Sequence, residues 1–306
     1  MKLLVTGSSG FIGGSLARYA ASVGHQVMGT GRSPQSGNEL PEYAQADVTA
    51  ANLAEIVRRF APDVLFHAVG AASVGASLTD PLADLHAAAV TCANVLEGVR
   101  RSGLNPRVIL PSSAAVYGNP TKLPVNEEGQ VKPISPYGFH KAASEMICRE
   151  YSECFGFDIL VCRLFSIFGA AQRRLLIWEL YEQLAGPNQT VWLGGTGSET
   201  RDFLHVDDAA VAILKLAEEE AEAGKAGRFR IVNVGSGIEM SVSQVGQIMQ
   251  AIVAPRKEIR YRGITRGGDP LRWRADVALL RSLMPWKPKP VKDGLLECIA
   301  AWQGSG

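Results

Sequence analysis

The chain has no run of about eighteen apolar residues, the least that a membrane-crossing helix needs, so no segment reads as a transmembrane span. It has no surplus of one charge either: 31 basic and 30 acidic side chains leave a net charge of +1. Nothing in that balance attracts nucleic acid or an anionic membrane, so any anion must be bound by local design. Cysteine is scarce, and Cys92, Cys148, Cys154, Cys162 and Cys298 form no CxxC pair and no His/Cys ligand spacing. That argues against a disulfide framework and against a metal site, and suits reduced thiols in a cytoplasmic protein. Lys2 leads at once into a strand-like run ending at Gly7, which leaves no room for the longer apolar region of a signal peptide. Internal repeats and low-complexity linkers are absent as well. What remains is a 306-residue chain, 46% hydrophobic, long enough for a well-buried core in one large domain or two fused lobes.

Apolar runs alternate with helical patterns. Strands are predicted at 2–6, 26–30, 63–68, 107–110 and 158–165, and helices from Phe11 to a close at Gly24 and over 52–60, 81–101 and 136–155. Such an alternation predicts an α/β fold, a doubly wound parallel sheet of the Rossmann kind with helices on both faces. After Gly169 the alternation weakens, and segments rich in Gly, Arg and Trp (186–200, 263–273) interrupt it. Residues 1–169 are therefore read as a dinucleotide-binding domain, to which 201–235 returns through a helix at 206–222 and a strand at 230–234. Residues 170–200 and 236–306 are read as a smaller substrate-binding lobe.

The segment TGSSGFIGG (6–14) follows a strand and opens a helix. Backbone N–H groups and the positive end of a helix can hold a pyrophosphate there, and Gly7, Gly10 and Gly13 keep side chains out of its way. The spacing is GxxGxxG, not the more familiar GxGxxG. The second strand ends Gly29-Thr30-Gly31-Arg32 with no carboxylate for a ribose hydroxyl. A guanidinium beside that place suits a 2′-phosphate, which favours NADP(H) over NAD(H). Candidate cofactor contacts are Gly7, Ser9, Gly10, Phe11, Ile12, Gly13 and Arg32, with Asp47 and Val48 after the third strand and Ala68, Val69 and Gly70 after the next. Asp47 serves equally well as a helix N-cap.

Tyr137 and Lys141 in SPYGFHK stand at i and i+4, on one helix face. A phenol is too weak an acid to exchange protons near neutrality, with an unperturbed pKa of about 10, and an ammonium one turn away favours the phenolate. Ser112 and Ser113 in PSSAAVYG follow the strand at 107–110, at the carboxyl end where open α/β sheets bind ligands. Ser113 there can hydrogen-bond a reacting oxygen while Tyr137 moves the proton.

The ordered set TGSSGFIGG, HAVGAASVGAS, PSSAAVYG, SPYGFHK, RLFSIFG, RDFLHVDDAA, NVGSG and RGGDP resembles the NAD-dependent epimerase/dehydratase family, extended short-chain dehydrogenases acting on nucleotide sugars. The resemblance implies that Ser113, Tyr137 and Lys141 are catalytic and that Lys141 also holds the nicotinamide ribose. It implies that Arg201 and Arg266 grip a substrate diphosphate, with Asp269 near the nucleoside and Ser112 and Ser166 among the substrate contacts. A homodimer through the helices starting near Pro81 and Pro136 is implied too. Departures are Ala88 and Ser166 where asparagines are usual, and Ala114 and Ala115 where dehydratases carry an acidic pair. The leading expectation is an NADPH-dependent 4-ketoreductase of a nucleotide-diphosphate sugar, with a 4-epimerase that retains its cofactor as the alternative. A non-catalytic dinucleotide sensor is the third reading, disfavoured by the presence of both Tyr137 and Lys141.

Overall fold

The computed structural model describes residues 1–34, 40–48, 53–221 and 227–304. Strand β1 (Lys2–Thr6) runs into α1 (Phe11–Ser22), followed by β2 (Gln26–Gly31), β3 (Glu42–Gln45), α2 (Leu53–Phe60) and β4 (Val64–His67). Short helices α3 (Val74–Thr79) and α4 (Pro81–Leu85) lead through a π-helical turn (His86–Val90) into α5 (Thr91–Ser102) and β5 (Arg107–Ser113). A 3-10 turn (Ala114–Tyr117) and a loop precede α6 (Pro136–Phe155), β6 (Ile159–Leu164) and β7 (Ser166–Phe168). The remainder is α7 (Leu175–Ala185), β8 (Thr190–Leu193), β9 (Thr200–His205), α8 (Val206–Ala221), β10 (Phe229–Val234), β11 (Glu239–Ser241), α9 (Val242–Val253), β12 (Glu258–Tyr261), α10 (Ala278–Leu283) and α11 (Val291–Gln303). Asn52 and Glu222, the expected ends of two helices, lie outside the described residues.

Seven strands form one parallel sheet in the order β10-β6-β5-β4-β1-β2-β3. The chain moves outward from β1 in one direction and then returns to the other side, so β1 and β4 flank the switch point at which such sheets bind ligands. Strand residues alternate between two cores: Leu3, Val5, Phe66, Ile109 and Leu160 face a layer with α1 and α8, while Leu4, Leu65, Val108 and Ile159 face α2, α5 and α6. Burial on both faces is why these strands read as unbroken apolar runs.

A third core gathers Ile177, Leu180, Val191, Val245, Leu295 and Trp302 from α7, β8, α9 and α11. It is separate from the sheet, but the expected division at residue 236 is not clean. Trp273, Ala275, Val277, Leu280 and Met284 belong to the first core, beside β10. The segment 273–284 is thus a strap packed on the first core. No helix among the described residues is long and apolar enough to cross a membrane.

Two local features set up the site. β5 was expected to stop at Leu110, before a proline that has no N–H to give a ladder, yet it pairs with β6 through Ser113↔Leu164. Its pairing with β4 ends at Phe66↔Ile109, so Pro111 lies where the β4 side of the strand is already open and no donor is missed. The second feature is Gly138. A Cβ there would lie 2.6 Å from the Ala115 carbonyl oxygen and 3.0 Å from Pro133, so the bare backbone lets α6 press against the turn that follows β5. Replacing a helical glycine by alanine ordinarily gains about 1 kcal/mol, but collision with a backbone atom reverses the sign. We expect Gly138→Ala to lower the unfolding free energy by roughly 1–3 kcal/mol, measured by urea denaturation; a stabilised variant would contradict the close approach.

Candidate active site

At the switch point the glycine loop after β1 packs against the segment after β4. Gly7 and Ser8 donate N–H groups to the Thr30 carbonyl, which ties the loop to β2. At Gly13 a Cβ would lie 2.5 Å from the Gly7 oxygen and 2.9 Å from Ala68 Cβ, so any side chain would fill the space between loop and helix. Gly10 precedes α1 and gives no side-chain cap, which leaves the first-turn N–H groups of Phe11, Ile12 and Gly13 without one; Ser9 and Gly10 are exposed. This is a cradle into which an anionic group fits without displacing a side chain.

Arg32 is exposed at the end of β2, and its carbonyl accepts from Gln45 at 2.9 Å. Asp47 is exposed beyond β3 and Val48 is buried. The helix that Asp47 was expected to cap begins after residues outside the described ones. Ala68 and Val69 line the far wall of the loop, and Gly70 lies beside the Lys141 ammonium, 3.8 Å from where its Cβ would be.

Helix α6 delivers the proton-transfer pair. Ser135 caps it, its hydroxyl accepting from Gly138 N–H at 3.2 Å, and Pro136 takes the first position, where no donor is needed. The Tyr137 N–H is met by Ser77 Oγ of α3 at 3.1 Å. One turn on, Lys141 is almost wholly buried, donates from Nζ to the Pro111 carbonyl at 3.0 Å and lies 5.8 Å from the Tyr137 ring centroid. The half-buried Ser113 stands at the end of β5, its Oγ accepting from Ala115 N–H at 3.2 Å, and its own proton has no acceptor among the described residues.

Its neighbour Ser112 differs from the expectation of a substrate contact. Its side chain is 3% exposed and donates to Glu145 Oε1 at 2.5 Å, because adjacent strand residues face opposite ways and Ser112 is turned into the protein. Ser166 is half-buried in β7, opposite Phe203 of β9. Arg201 does not form the ion pair with Asp202 that its sequence neighbour offered. The Asp202 carboxylate is buried and accepts from Ser236 N–H at 2.6 Å, Gly237 N–H at 2.9 Å and Ala275 N–H at 3.0 Å. With Asp202 turned inward, Arg201 faces the other way, 5.6 Å from the Trp273 ring and bonded only to the Thr200 carbonyl among the described residues. Burial pulls its guanidinium below the ordinary value, against the nearby carboxylates of Asp269 and Glu199, so a positive group is held partly dehydrated with most of its donors unspent.

Arg266 meets Asp269 at 3.3 Å and its Nη1 lies 2.8 Å from where a Gly75 Cβ would be, over the start of α3. The loop carrying both also touches Ser135 at the head of α6 through Gly268. Asp269 thus lies within electrostatic reach of Arg201, and the loop that carries it with Arg266 sits by Ser135, at the head of the helix that bears Tyr137.

Other aromatic and possible metal-ligating side chains have ordinary packing and pairing roles. Trp178 packs on Trp302 at 5.0 Å, and Trp273 donates to the Gly118 carbonyl at 2.9 Å. Among the described residues the cluster His205, Asp207 and Glu297 brings possible metal ligands within 4.8 Å of one another, but the Lys289 ammonium already pairs with Glu297. Sequence reasoning missed Glu145, which sits one turn after Lys141 on the same face, and its partner Arg163; the i, i+4, i+8 spacing was the available signal.

The glycine cradle, the Tyr137–Lys141 turn and the two arginines agree with a sequence match over residues 3–235 to the profile described as the NAD dependent epimerase/dehydratase family. The chain belongs to that family. Among its relatives, a UDP-glucose 4-epimerase of Mycolicibacterium smegmatis is 29% identical over 98% of this chain and 97% of its own. A UDP-glucuronic acid decarboxylase 1 of Danio rerio is 28% identical over 97% of this chain and 72% of its own. Of solved structures, MoeE5 in complex with UDP-glucuronic acid and NAD superposes with a TM-score of 0.88 at 25% identity, covering 100% of both chains. The relatives thus include epimerases and decarboxylases, and MoeE5 is seen with NAD, which gives no support to the expected preference for NADP.

His67, at the end of β4, shares this environment. Its Nδ1 pairs with Thr6 Oγ1 at 2.9 Å, while Nε2 is buried without a partner among the described residues. Burial first, then the Lys141 charge, push its pKa from 6.5 down to about 3. The imidazole is therefore neutral in the folded protein and gains a proton on unfolding below about pH 6.5. Its contribution is fully present above that pH and is lost as pH falls towards 3. Between pH 7 and pH 4 we expect it to cost about 3 kcal/mol of stability, and His67→Gln to flatten that loss in pH-dependent denaturation; an unchanged slope would contradict the assignment.

Proposed function

We propose that this protein is an NAD-dependent nucleotide-sugar 4-epimerase. The observation that carries this reading is the convergence of Tyr137, Lys141 and Ser113 at the ends of α6 and β5, beside a glycine cradle and across from Arg201 and Arg266. The cradle fits a nicotinamide dinucleotide, with Gly7, Ser9, Gly10, Phe11, Ile12 and Gly13 around the pyrophosphate and Asp47, Val48, Ala68, Val69 and Gly70 along its length. When bound, that group supplies the acceptor and donor of a hydride at the sugar ring carbon.

The chain's own residues do the rest. Tyr137 Oη takes the proton of the sugar hydroxyl and returns it. Ser113 Oγ–H donates to the same oxygen as it gains carbonyl character. Lys141, fixed by Pro111, keeps a positive charge beside the phenol and reaches the nicotinamide ribose. Arg201 and Arg266 hold the diphosphate by its oxygens, with Asp269 toward the nucleoside, and so anchor the substrate by the end that does not react. Anchoring there leaves the hexose free to turn between loss and return of hydride, which is what inversion requires. Ala114 and Ala115 offer neither acid nor base, so elimination of water is not served.

An NADPH-dependent 4-ketoreductase is the second reading, favoured by Arg32 at the end of a strand that lacks a carboxylate. Incubation with UDP-, GDP-, CDP- and dTDP-hexoses distinguishes them. We expect C4 epimers to interconvert without net use of added NADPH; stoichiometric loss of NADPH absorbance with a 4-keto sugar would favour the reductase. Tyr137→Phe should lower kcat by about 10²–10⁴, and parental turnover in that variant would contradict the role of the phenol.

Residues 170–200 and 236–306 we assign to the lobe that recognises the nucleotide sugar, the strap at 273–284 excepted. The free cysteines, four of them buried, suit the reducing cytoplasm, where we place the enzyme. We also propose a homodimer through α4 and α6, where Leu82, Phe139 and Met146 are exposed. Light scattering should give twice the mass of the chain; a monomer would contradict this.

A further inference from the structure

We propose that the buried ion pair of Glu145 and Arg163 is a positioning device that sets the register of α6 against β5, and thereby the reach of Tyr137 and Lys141 towards Ser113. This deepens the proposed reaction and rests on it for its kinetic readout. Tyr137, Lys141 and Glu145 stand at i, i+4 and i+8, so they form one row along α6. Glu145 is the inner end of that row. Its side chain is 7% exposed and that of Arg163, on β6, is 3% exposed. The guanidinium forks onto the carboxylate, Nη2 to Oε2 at 2.7 Å and Nε to Oε1 at 3.0 Å.

The fork is the centre of a wider clamp. Oε1 also accepts from Ser112, whose neighbour on β5 is Ser113. Arg163 Nη1 donates to Tyr117 Oη at 2.9 Å and to the Glu127 carbonyl at 3.0 Å, and Tyr117 donates to Asn233 of β10 at 2.8 Å. One carboxylate thus ties the proton-transfer helix to β5, β6, β10 and the turn at 114–117. Both charges are raised in cost by burial. Burial alone would lower the Arg163 pKa, but its hydrogen bonds and attraction to Glu145 outweigh that and hold it above the ordinary value.

Apolar packing would hold α6 to the sheet as firmly, and replacing a buried ion pair by apolar side chains of similar volume is often neutral for stability. What apolar contacts cannot do is fix the helix along its own axis. A fork of two parallel hydrogen bonds has one register, whereas methyl groups slide past one another at little cost. Displacement of about 1 Å at reacting groups costs about 10²-fold in rate, so a clamp of this kind is where the sequence would spend two buried charges.

The double variant Glu145→Met with Arg163→Met removes both charges together and leaves neither unpaired. We expect a thermal midpoint close to the parent's, nucleotide-sugar KM and NAD affinity within about threefold, and kcat lower by about 10²-fold. A merely structural role would lower activity only in proportion to the folded fraction, so a folded double variant that turns over at the parental rate overturns the proposal. Ser112→Ala removes one bond of the clamp without leaving a charge, and it serves if the double variant does not fold: a several-fold fall in kcat at constant KM supports positioning, and no change overturns it. If the parent itself converts no nucleotide sugar, the proposed reaction fails, and the crystal structure of whichever variant folds still decides the clamp. A lost contact between Lys141 Nζ and the Pro111 carbonyl supports it, and retention at 3.0 Å overturns it.

Discussion

The hydrogen bond from the Lys141 ammonium to the Pro111 carbonyl, 3.0 Å long, is the contact on which the site depends. It exists because β5 outruns β4. Once the two strands stop pairing after Ile109, the carbonyls on that side of β5 have no strand partner, and a residue without an N–H can stand there. Proline therefore costs the sheet nothing, and its oxygen becomes the anchor for a cation that is otherwise almost fully buried. Lys141 in turn can reach it only because Gly138 lets the head of α6 close on the turn after Ser113. Strand length, a proline, a glycine and the helix cap at Ser135 thus converge on one ammonium beside one phenol.

A net charge of +1 gave the molecule no general attraction for anions, and the structure shows how the attraction is made local. Asp202 spends its carboxylate on three backbone N–H groups and a hydroxyl, so it neutralises no arginine in the cleft. Arg201 is left partly dehydrated beside Trp273, and among the described residues Arg266, over Gly75, has only a long contact to Asp269. Exposed pairs such as the latter contribute little on their own, which leaves the guanidinium available. At the glycine loop the first turn of α1 has no side-chain cap, so backbone N–H groups alone face that place. Two such places flanking a phenol suit the dinucleotide and nucleotide sugar of the proposed reaction.

The layers of the sheet and the head of the site were readable because their signals are local. Helix α6 was bounded correctly at Pro136 and Phe155 since serine and proline open it and Gly156, in a left-handed conformation, closes it. The strands of the sheet, buried on both sides, announced themselves as apolar runs. The helix expected at 81–101 is present but contains a π turn, in which Thr91 Oγ1 donates to the His86 carbonyl at 2.8 Å, and no pattern of residues marked it. The C-terminal half was largely illegible. Its strands β8, β11 and β12 are three or four residues long and are defined by partners far away in sequence, and helices α7, α9 and α11 are amphipathic about a core that exists only when all three meet. The bond of Ser112 to Glu145 was not legible, because two adjacent serines look alike until the strand's alternation turns one of them inward. Arg32 was legible as a residue and not as a preference, since a lone exposed guanidinium at a strand end is compatible with either dinucleotide.

The most direct test of the account is a crystal structure with NAD and a UDP-hexose bound together. The account predicts Tyr137 Oη and Ser113 Oγ within about 2.6–3.2 Å of the same sugar oxygen, the Lys141 ammonium still on the Pro111 carbonyl, and the diphosphate between Arg201 and Arg266. A sugar bound with its reactive hydroxyl away from Tyr137, or a dinucleotide lying outside the glycine cradle, would contradict it.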